Sequence, residues 1–149
     1  MNELADDTIE LRASDDFVPD PAGAPLYLFD IHLRGTATKI GQVLLRLDRE
    51  DAGLVDYAGH IGFEIAPEHR GHHHALRAVR LLVPLARRHG FGELWLTTSP
   101  DNPASRRTFE LLGAMYVDTV AIPADSDMRA LGLHEVRRYR WTLPADATT

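Results

Sequence analysis

The chain has 149 residues, which is enough for one domain with a real core and too few for two typical domains. Its formal net charge of −6, from 22 acidic and 16 basic residues, argues against broad binding to nucleic acid or to an anionic membrane. The sequence has no cysteine, no signal-peptide pattern and no apolar run of membrane-spanning length, so we expect a soluble cytoplasmic protein without disulfides or thiolate chemistry.

Strand-like segments dominate the first half of the chain. Alternating or apolar β-type runs predict strands in four places, namely residues 8–12, 26–33, 40–47 and 60–65. The stretch between the first two strands, from Ala13 to Pro25, is rich in Pro, Asp and Gly and reads as a loop. The two ends of the chain, residues 1–7 and 144–149, are expected to be flexible.

The hydrophobic period then changes from that of a strand to that of a helix. Apolar residues recur three or four apart from Leu76 to Ala86, which predicts a helix that begins near Gly71 and ends at Gly90. Pro84 lies inside this helix and lacks a backbone N–H, so we expect a kink or a local loosening there.

A second helix is predicted where Asp101 and Asn102 precede Pro103, because a capping residue followed by proline is a helix start, and Gly113 ends it. Three more strands are predicted, at residues 93–98, 115–122 and 135–143. This order of elements predicts an α/β or α+β fold in which a mixed central sheet of about six to seven strands is flanked by helices.

The stretch from Arg70 to Ala75, with three consecutive histidines at a helix start, admits three interpretations. An anion site is favoured by the unpaired N–H groups and positive dipole end of the helix, and by the guanidinium of Arg70. A metal site is disfavoured because Arg70 and the dipole repel a cation, and adjacent histidines point in different directions. A solvated helix end without a ligand is the third interpretation. We expect no metal here.

Two motifs then occur in order on a strand–helix–strand–helix run. The first is Arg70-Gly71-His72-His73-His74-Ala75; the second comprises Asn102, Ala104, Phe109 and Leu112-Gly113. Together they resemble the signatures of the GNAT superfamily of N-acetyltransferases, over roughly residues 59–120. The resemblance implies a single GNAT-like domain spanning residues 1–149. It also implies acetyl-CoA as co-substrate, and direct transfer of an acetyl group to a primary amine of a small molecule or peptide.

The resemblance also implies which residues contact the cofactor. The pyrophosphate of coenzyme A would bind to the backbone N–H groups of His72, His73, His74 and Ala75, together with Arg70 and Gly71. The strand residues Phe63 and Ile65 would pair with the pantetheine arm like an added strand. Asn102 and Ser105 would lie near the far side of that arm.

The catalytic residues are predicted from the same resemblance and from the chemistry. An amine arrives as an ammonium ion and needs a base, and Glu64 on the motif strand is the candidate. Strand alternation puts Glu64 on the face opposite Phe63 and Ile65, toward a cleft or toward solvent. Phe109 stands where many relatives have a tyrosine that protonates the leaving thiolate, so Tyr116 is the candidate for that role.

Two departures from the family pattern support an alternative function. His73 stands at a glycine position of the motif, and Phe109 stands at a tyrosine position. Both departures are compatible with a catalytically weak or inactive domain of the same fold, which would bind an acyl-CoA as a sensor or scaffold. The loop between the first two strands is too short for two full helices, which predicts an open or partner-completed acceptor site. Its acidic residues Asp15, Asp16 and Asp20 are either a cation-recognising set or a solvated loop. Whether the protein forms a homodimer is left open by the sequence.

Overall fold

The computed structural model describes residues 4–14, 26–47, 59–122, 124–125, 129, 132 and 134–144. Most of the loop that was expected to shape the acceptor site, including its three acidic residues, lies outside this part of the chain. The predicted flexible ends lie outside it at residues 1–3 and 145–149.

The described residues form seven strands, three α-helices and one 3₁₀ turn. The strands are β1 (Ile9–Ala13), β2 (Leu26–Leu33), β3 (Lys39–Arg46), β4 (Ile61–Ile65), β5 (Glu93–Thr98), β6 (Met115–Ala121) and β7 (Glu135–Thr142). The helices are α1 (His74–Leu81), α2 (Val83–Arg88) and α3 (Pro103–Leu112), and the 3₁₀ turn is Pro67–His69. Each of the seven predicted strands is therefore present within a residue or two of its expected bounds.

The strands form two antiparallel sheets, in the orders β1-β2-β3-β4 and β5-β7-β6. The α+β class is confirmed, and the predicted central sheet is divided between β4 and β5. The two strands meet where the His60 N–H donates to the Trp95 carbonyl at 2.8 Å and the Trp95 N–H donates to His60 Nδ1 at 2.9 Å. Beyond this point β4 pairs with β3 and β5 with β7, so the two facing edges diverge.

The imidazole of His60 closes the apex of this opening. It is 1% exposed, and its Nδ1 accepts the hydrogen bond from the Trp95 N–H. In a continuous sheet, a backbone carbonyl of the neighbouring strand would accept that bond. Because Nδ1 accepts, the ring proton lies on Nε2 and the imidazole is neutral. His60 is thus packed and hydrogen-bonded.

One hydrophobic core joins both sheets to the helices. Its most deeply buried members come from every layer: Ile9, Ile31, Val43, Leu45, Val79, Leu82, Leu94, Leu96, Phe109 and Trp141. The predicted first helix divides into α1 and α2 at Leu82, because Pro84 has no N–H to continue the helical hydrogen bonds. No helix in the described ranges is long and apolar enough to cross a bilayer.

Candidate functional site

The divergence of β4 and β5 leaves a cleft of about 440 Å³. It is bounded by β4, by the loop before α1 and the start of that helix, and by one face of α3. Ten of the predicted site residues line it, namely Phe63, Glu64, Ile65, Arg70, Gly71, His73, His74, Ala75, Asn102 and Ser105. The structure therefore brings together residues that lie up to 42 positions apart, from Phe63 to Ser105.

The edge of β4 that faces the cleft carries backbone groups that take no part in the pairing with β3. On its other edge, the Ala66 N–H donates to the Ile40 carbonyl at 2.8 Å and the His60 carbonyl accepts from the Arg46 N–H at 2.6 Å. Backbone groups alternate in direction along a strand, so the even-numbered residues point toward β3. Those of Phe63 and Ile65 point the other way, on the side of the cleft.

The loop before α1 is held to the end of β4 by Arg70. Its Nε donates to the Ile65 carbonyl at 2.8 Å, so the guanidinium lies at the mouth of the cleft. Gly71 and His73 have φ values of 91° and 61°, in the left-handed region, which a right-handed helix excludes. For this reason α1 begins at His74 and not near Gly71 as the sequence pattern predicted.

The first turn of α1 suits an anion. The first N–H groups of a helix have no intrahelical partner, and this turn contains no acidic residue. His74 is 8% exposed, lines the cleft, and has an Nδ1 that makes no hydrogen bond within the described structure. Burial, followed by the charges of His72, His69 and Arg77, lowers the pKa of His74. Its buried, unpartnered nitrogen is a donor or acceptor that a ligand in the cleft would satisfy.

Helix α3 forms the opposite wall. The Oδ1 of Asn102 accepts from the Ser105 N–H at 3.1 Å, so this predicted cofactor contact also caps the helix. The cleft lining includes further residues that sequence reasoning missed: His69, Ala104, Arg107, Thr108 and Leu111. The members on α3 follow the i, i+3, i+4, i+7 pattern of one helical face. That pattern, counted from the motif residue Ala104, was the signal that would have found the other three.

The sequence as a whole was then compared with known proteins. A family model described as an acetyltransferase (GNAT) domain matches residues 4–115, well over half of the chain. The chain belongs to the GNAT family. It is therefore an acetyltransferase, and acetyl-CoA is its acetyl donor, which confirms the predicted activity class and co-substrate. A comparison with curated protein sequences finds no significant match.

Solved structures with the same fold include three acetyltransferases. The ribosomal L7/L12 alpha-N-protein acetyltransferase RimL, solved with coenzyme A, has a TM-score of 0.65 and 15% identity, covering 93% of this chain and 96% of its own. YncA of Salmonella typhimurium, solved with acetyl-CoA, has a TM-score of 0.59 and 17% identity over 82% and 67%. The ribosomal-protein-S5-alanine acetyltransferase of Vibrio fischeri has a TM-score of 0.61 and 15% identity over 80% and 63%. At these identities the likeness shows the fold.

The histidine at the glycine position of the GNAT motif has a conformational cost. His73 is the single non-glycine residue with positive φ in the part of the chain that the structure describes. A residue with a Cβ disfavours this region, which glycine enters freely. His73 also lines the cleft, so its side chain takes space beside the helix start.

Replacing His73 with glycine is therefore expected to raise the free energy of unfolding by roughly 1 kcal/mol, since relief of backbone strain outweighs the added freedom of the unfolded chain. The Kd for acetyl-CoA is expected to fall as well, because the Cβ and ring leave the cleft. Urea denaturation and calorimetry measure the two effects. Gly71→Ala is the matched control and is expected to destabilise, because its φ of 91° then strains an alanine. Weaker cofactor binding by His73→Gly would show that the imidazole itself binds the anion.

Two predicted site residues do not line the GNAT cleft in this structure. His72 is exposed and its ring lies 5.7 Å from that of His74. Tyr116 lies on β6, where its hydroxyl is 2.8 Å from Thr119 Oγ1 and its ring packs 5.8 Å from Tyr139. The proton-donor role of Tyr116 stays a prediction, and this geometry does not bring its hydroxyl to the cleft.

Phe109 occupies the tyrosine position of the GNAT motif from inside the core. It is 1% exposed and packs edge-to-face against Phe63 on the cleft wall, with ring centroids 6.2 Å apart, and against Tyr139 at 5.0 Å. Phe109 therefore supports the wall that holds Phe63. It offers no proton for the chemistry.

Glu64 is exposed and lies on the rim of the GNAT cleft. It also borders a second, smaller pocket on the opposite face of the sheet. Gly41 allows β3 to approach this point closely, because a Cβ at position 41 would collide with the Glu64 carbonyl oxygen. Glu64, a predicted catalytic residue, therefore lines both the cleft and the smaller pocket.

A metal centre has no geometric support among the residues described. No three histidine, aspartate or glutamate side chains come close enough there to hold an ion. The rings of His72 and His74 lie 5.7 Å apart, and His73 between them has a left-handed backbone.

Proposed function

We propose that this GNAT domain transfers the acetyl group of acetyl-CoA directly to a primary amine, with Glu64 as general base. The observation that supports the proposal is the cleft itself: an open strand edge, a helix start free of acidic residues and a carboxylate on its rim occur within one space. We also infer that residues 1–149 form one such domain.

The proposed cofactor contacts follow from the unused groups of the cleft. Backbone N–H groups at the start of α1, with the guanidinium of Arg70, would bind the pyrophosphate. The outward backbone groups of Phe63 and Ile65 would pair with the amides of the pantetheine arm, as a peptide pairs with an open sheet edge. The wall formed by Asn102 and Ser105 would enclose the arm from the other side.

The chemistry requires the chain to accept one proton. Acetyl-CoA supplies an activated thioester, so a C–N bond forms and the C–S bond breaks when a neutral amine attacks its carbonyl carbon. The amine arrives as an ammonium ion, and Glu64 takes a proton from it, directly or through a water. The outward N–H of a β4 residue would stabilise the oxyanion that develops on the carbonyl. The nitrogen loses its second proton to solvent as the amide forms, and the thiolate, a good leaving group, takes a proton from solvent.

The test combines binding with turnover. Acetyl-CoA is titrated into the purified protein by calorimetry, and free-thiol release is followed with a panel of amino-acid amides, polyamines and short peptides. Mass spectrometry identifies the acetylated nitrogen. We expect binding, and amine-dependent release of thiol with at least one acceptor class. Binding of acetyl-CoA without acetylation of any amine would contradict N-acetyl transfer, and absence of binding would contradict the assignment of the cleft.

A further inference from the structure

The face of the four-stranded sheet that points away from the described helices carries two ordered rows of side chains. Strand register places Asp30, Gln42 and Glu64 side by side across β2, β3 and β4, and Leu28, Leu44 and Gly62 in the next row. The residues that alternate with them, such as Val43 and Ile61, are buried in the core. A polar row that ends in the proposed base therefore borders an apolar row.

An open pocket of about 210 Å³ lies over these two rows. Its described lining comprises Leu28, Gln42, Val43, Leu44, Gly62, Phe63 and Glu64. Phe63 and Glu64 also line the acetyl-CoA cleft, so the pocket begins where the cleft ends. An amine held at Glu64 from this face would have its substituent above the apolar row.

The polar row is pre-organised and anionic. Gln42 Nε2 donates to Asp30 Oδ1 at 3.1 Å and to Ser14 Oγ at 3.2 Å, and Lys39 Nζ lies 3.2 Å from Asp30 Oδ1. Partial burial opposes the charge of Asp30, yet hydrogen bonds from Gln42 and Lys39 hold the pKa of that carboxyl below its ordinary value. Lys39 offsets the charge of Asp30, so the negative charge that faces the pocket is that of Glu64, which favours an incoming cation over a neutral or acidic molecule.

We propose that this pocket is a specificity subsite for the acceptor, and that it selects primary amines bearing a branched aliphatic or aromatic group close to the nitrogen. The inference rests on the proposed N-acetyltransferase function. The size of the pocket supports the proposed selectivity, because an apolar cavity of about 150 Å³ already admits a benzene molecule. An acceptor without such a group leaves the apolar row of Leu28, Leu44 and Gly62 in water and gains nothing from it.

The test compares acceptors that differ in one side chain. Leucinamide, phenylalaninamide and glycinamide are assayed with saturating acetyl-CoA, and kcat/KM is measured for each. We expect the first two to exceed glycinamide by roughly 10- to 100-fold, the range that a few buried carbons give in an apolar pocket. Gly62→Val fills the pocket, and the ratio of leucinamide to glycinamide is then expected to fall toward one.

The substitution at Gly62 fits the fold, because the nearest atoms that a Cβ there would meet belong to the flexible Leu44 side chain, at 3.4 Å and beyond. Leu44→Ser provides a second variant that makes the row polar without filling it, and the same loss of preference is expected. A ratio near one in the unaltered protein, with measurable turnover, would overturn the subsite and leave N-acetyl transfer intact. A complete absence of turnover with bound acetyl-CoA would overturn both.

Discussion

Replacing Glu64 with glutamine is expected to lower kcat by about 100-fold or more at neutral pH, which is the usual contribution of a general base. The Kd for acetyl-CoA is expected to change little, because the proposed cofactor contacts near this residue are backbone groups of its neighbours. Glutamine has nearly the same size, and the exposed position of Glu64 makes a loss of folding stability small. Steady-state kinetics and calorimetry on the same preparation separate the two quantities.

The pH dependence distinguishes a base from a merely attractive charge. An α-amine of pKa about 8 loses its proton to solvent as the pH rises, so a variant without the base recovers activity at alkaline pH. We expect the ratio of Glu64→Gln to unaltered activity to increase between neutral pH and the pKa of the acceptor. Glu68→Gln is the matched control, since Glu68 is exposed in the adjacent 3₁₀ turn and does not line the cleft. An equal loss in both variants, or a loss independent of pH, would contradict the base assignment.

Local patterns were sufficient to predict the elements of this fold. Alternation located the strands, and the sequence Asp101-Asn102-Pro103 located the start of α3, where Asn102 does cap the helix. The break in the first helix was also predictable, because Pro84 has no N–H to donate, and the helix does divide there. Such predictions succeed because each depends on residues that are neighbours in sequence.

Features that depend on non-local pairing were beyond the sequence. The division of the sheet rests on His60 satisfying the Trp95 N–H, a contact between residues 35 positions apart. The start of α1 rests on the left-handed φ of His73, which no propensity predicts for histidine. The place of Tyr116 depends on the bulge between β6 and β7 near that residue and on its packing against Tyr139. The position of Tyr116 shortly after the second motif did not show which way its side chain points.

Within the site, the family resemblance predicted which residues line the cleft better than it predicted their roles. Arg70 was expected to act through its charge on a phosphate, and in the structure its Nε also fastens the loop to the carbonyl of Ile65. The carbonyl of Ile65 lies on the edge of β4 that faces the cleft. Arg70 therefore connects the proposed pyrophosphate site to the proposed pantetheine edge, and its substitution tests both.

Arg70→Ala is expected to raise the Kd for acetyl-CoA by roughly 10- to 100-fold, the loss that follows removal of a charge-assisted hydrogen bond. Arg70→Lys keeps the charge but lacks the planar fork, so we expect it to recover part of the affinity. Arg88→Ala removes an exposed arginine from α2, outside the cleft, and controls for the change in net charge. Calorimetry at one salt concentration gives all three values.

A truncated donor separates the two contributions of Arg70. S-acetylpantetheine carries the thioester and the amide arm but lacks the pyrophosphate. If Arg70 acts on the pyrophosphate, Arg70→Ala leaves the kcat/KM for this donor unchanged while that for acetyl-CoA falls. If Arg70 acts by holding the end of β4, both values fall together, because the strand edge that receives the arm is then loosened. Unchanged kinetics with acetyl-CoA itself would contradict a role for Arg70 in cofactor binding.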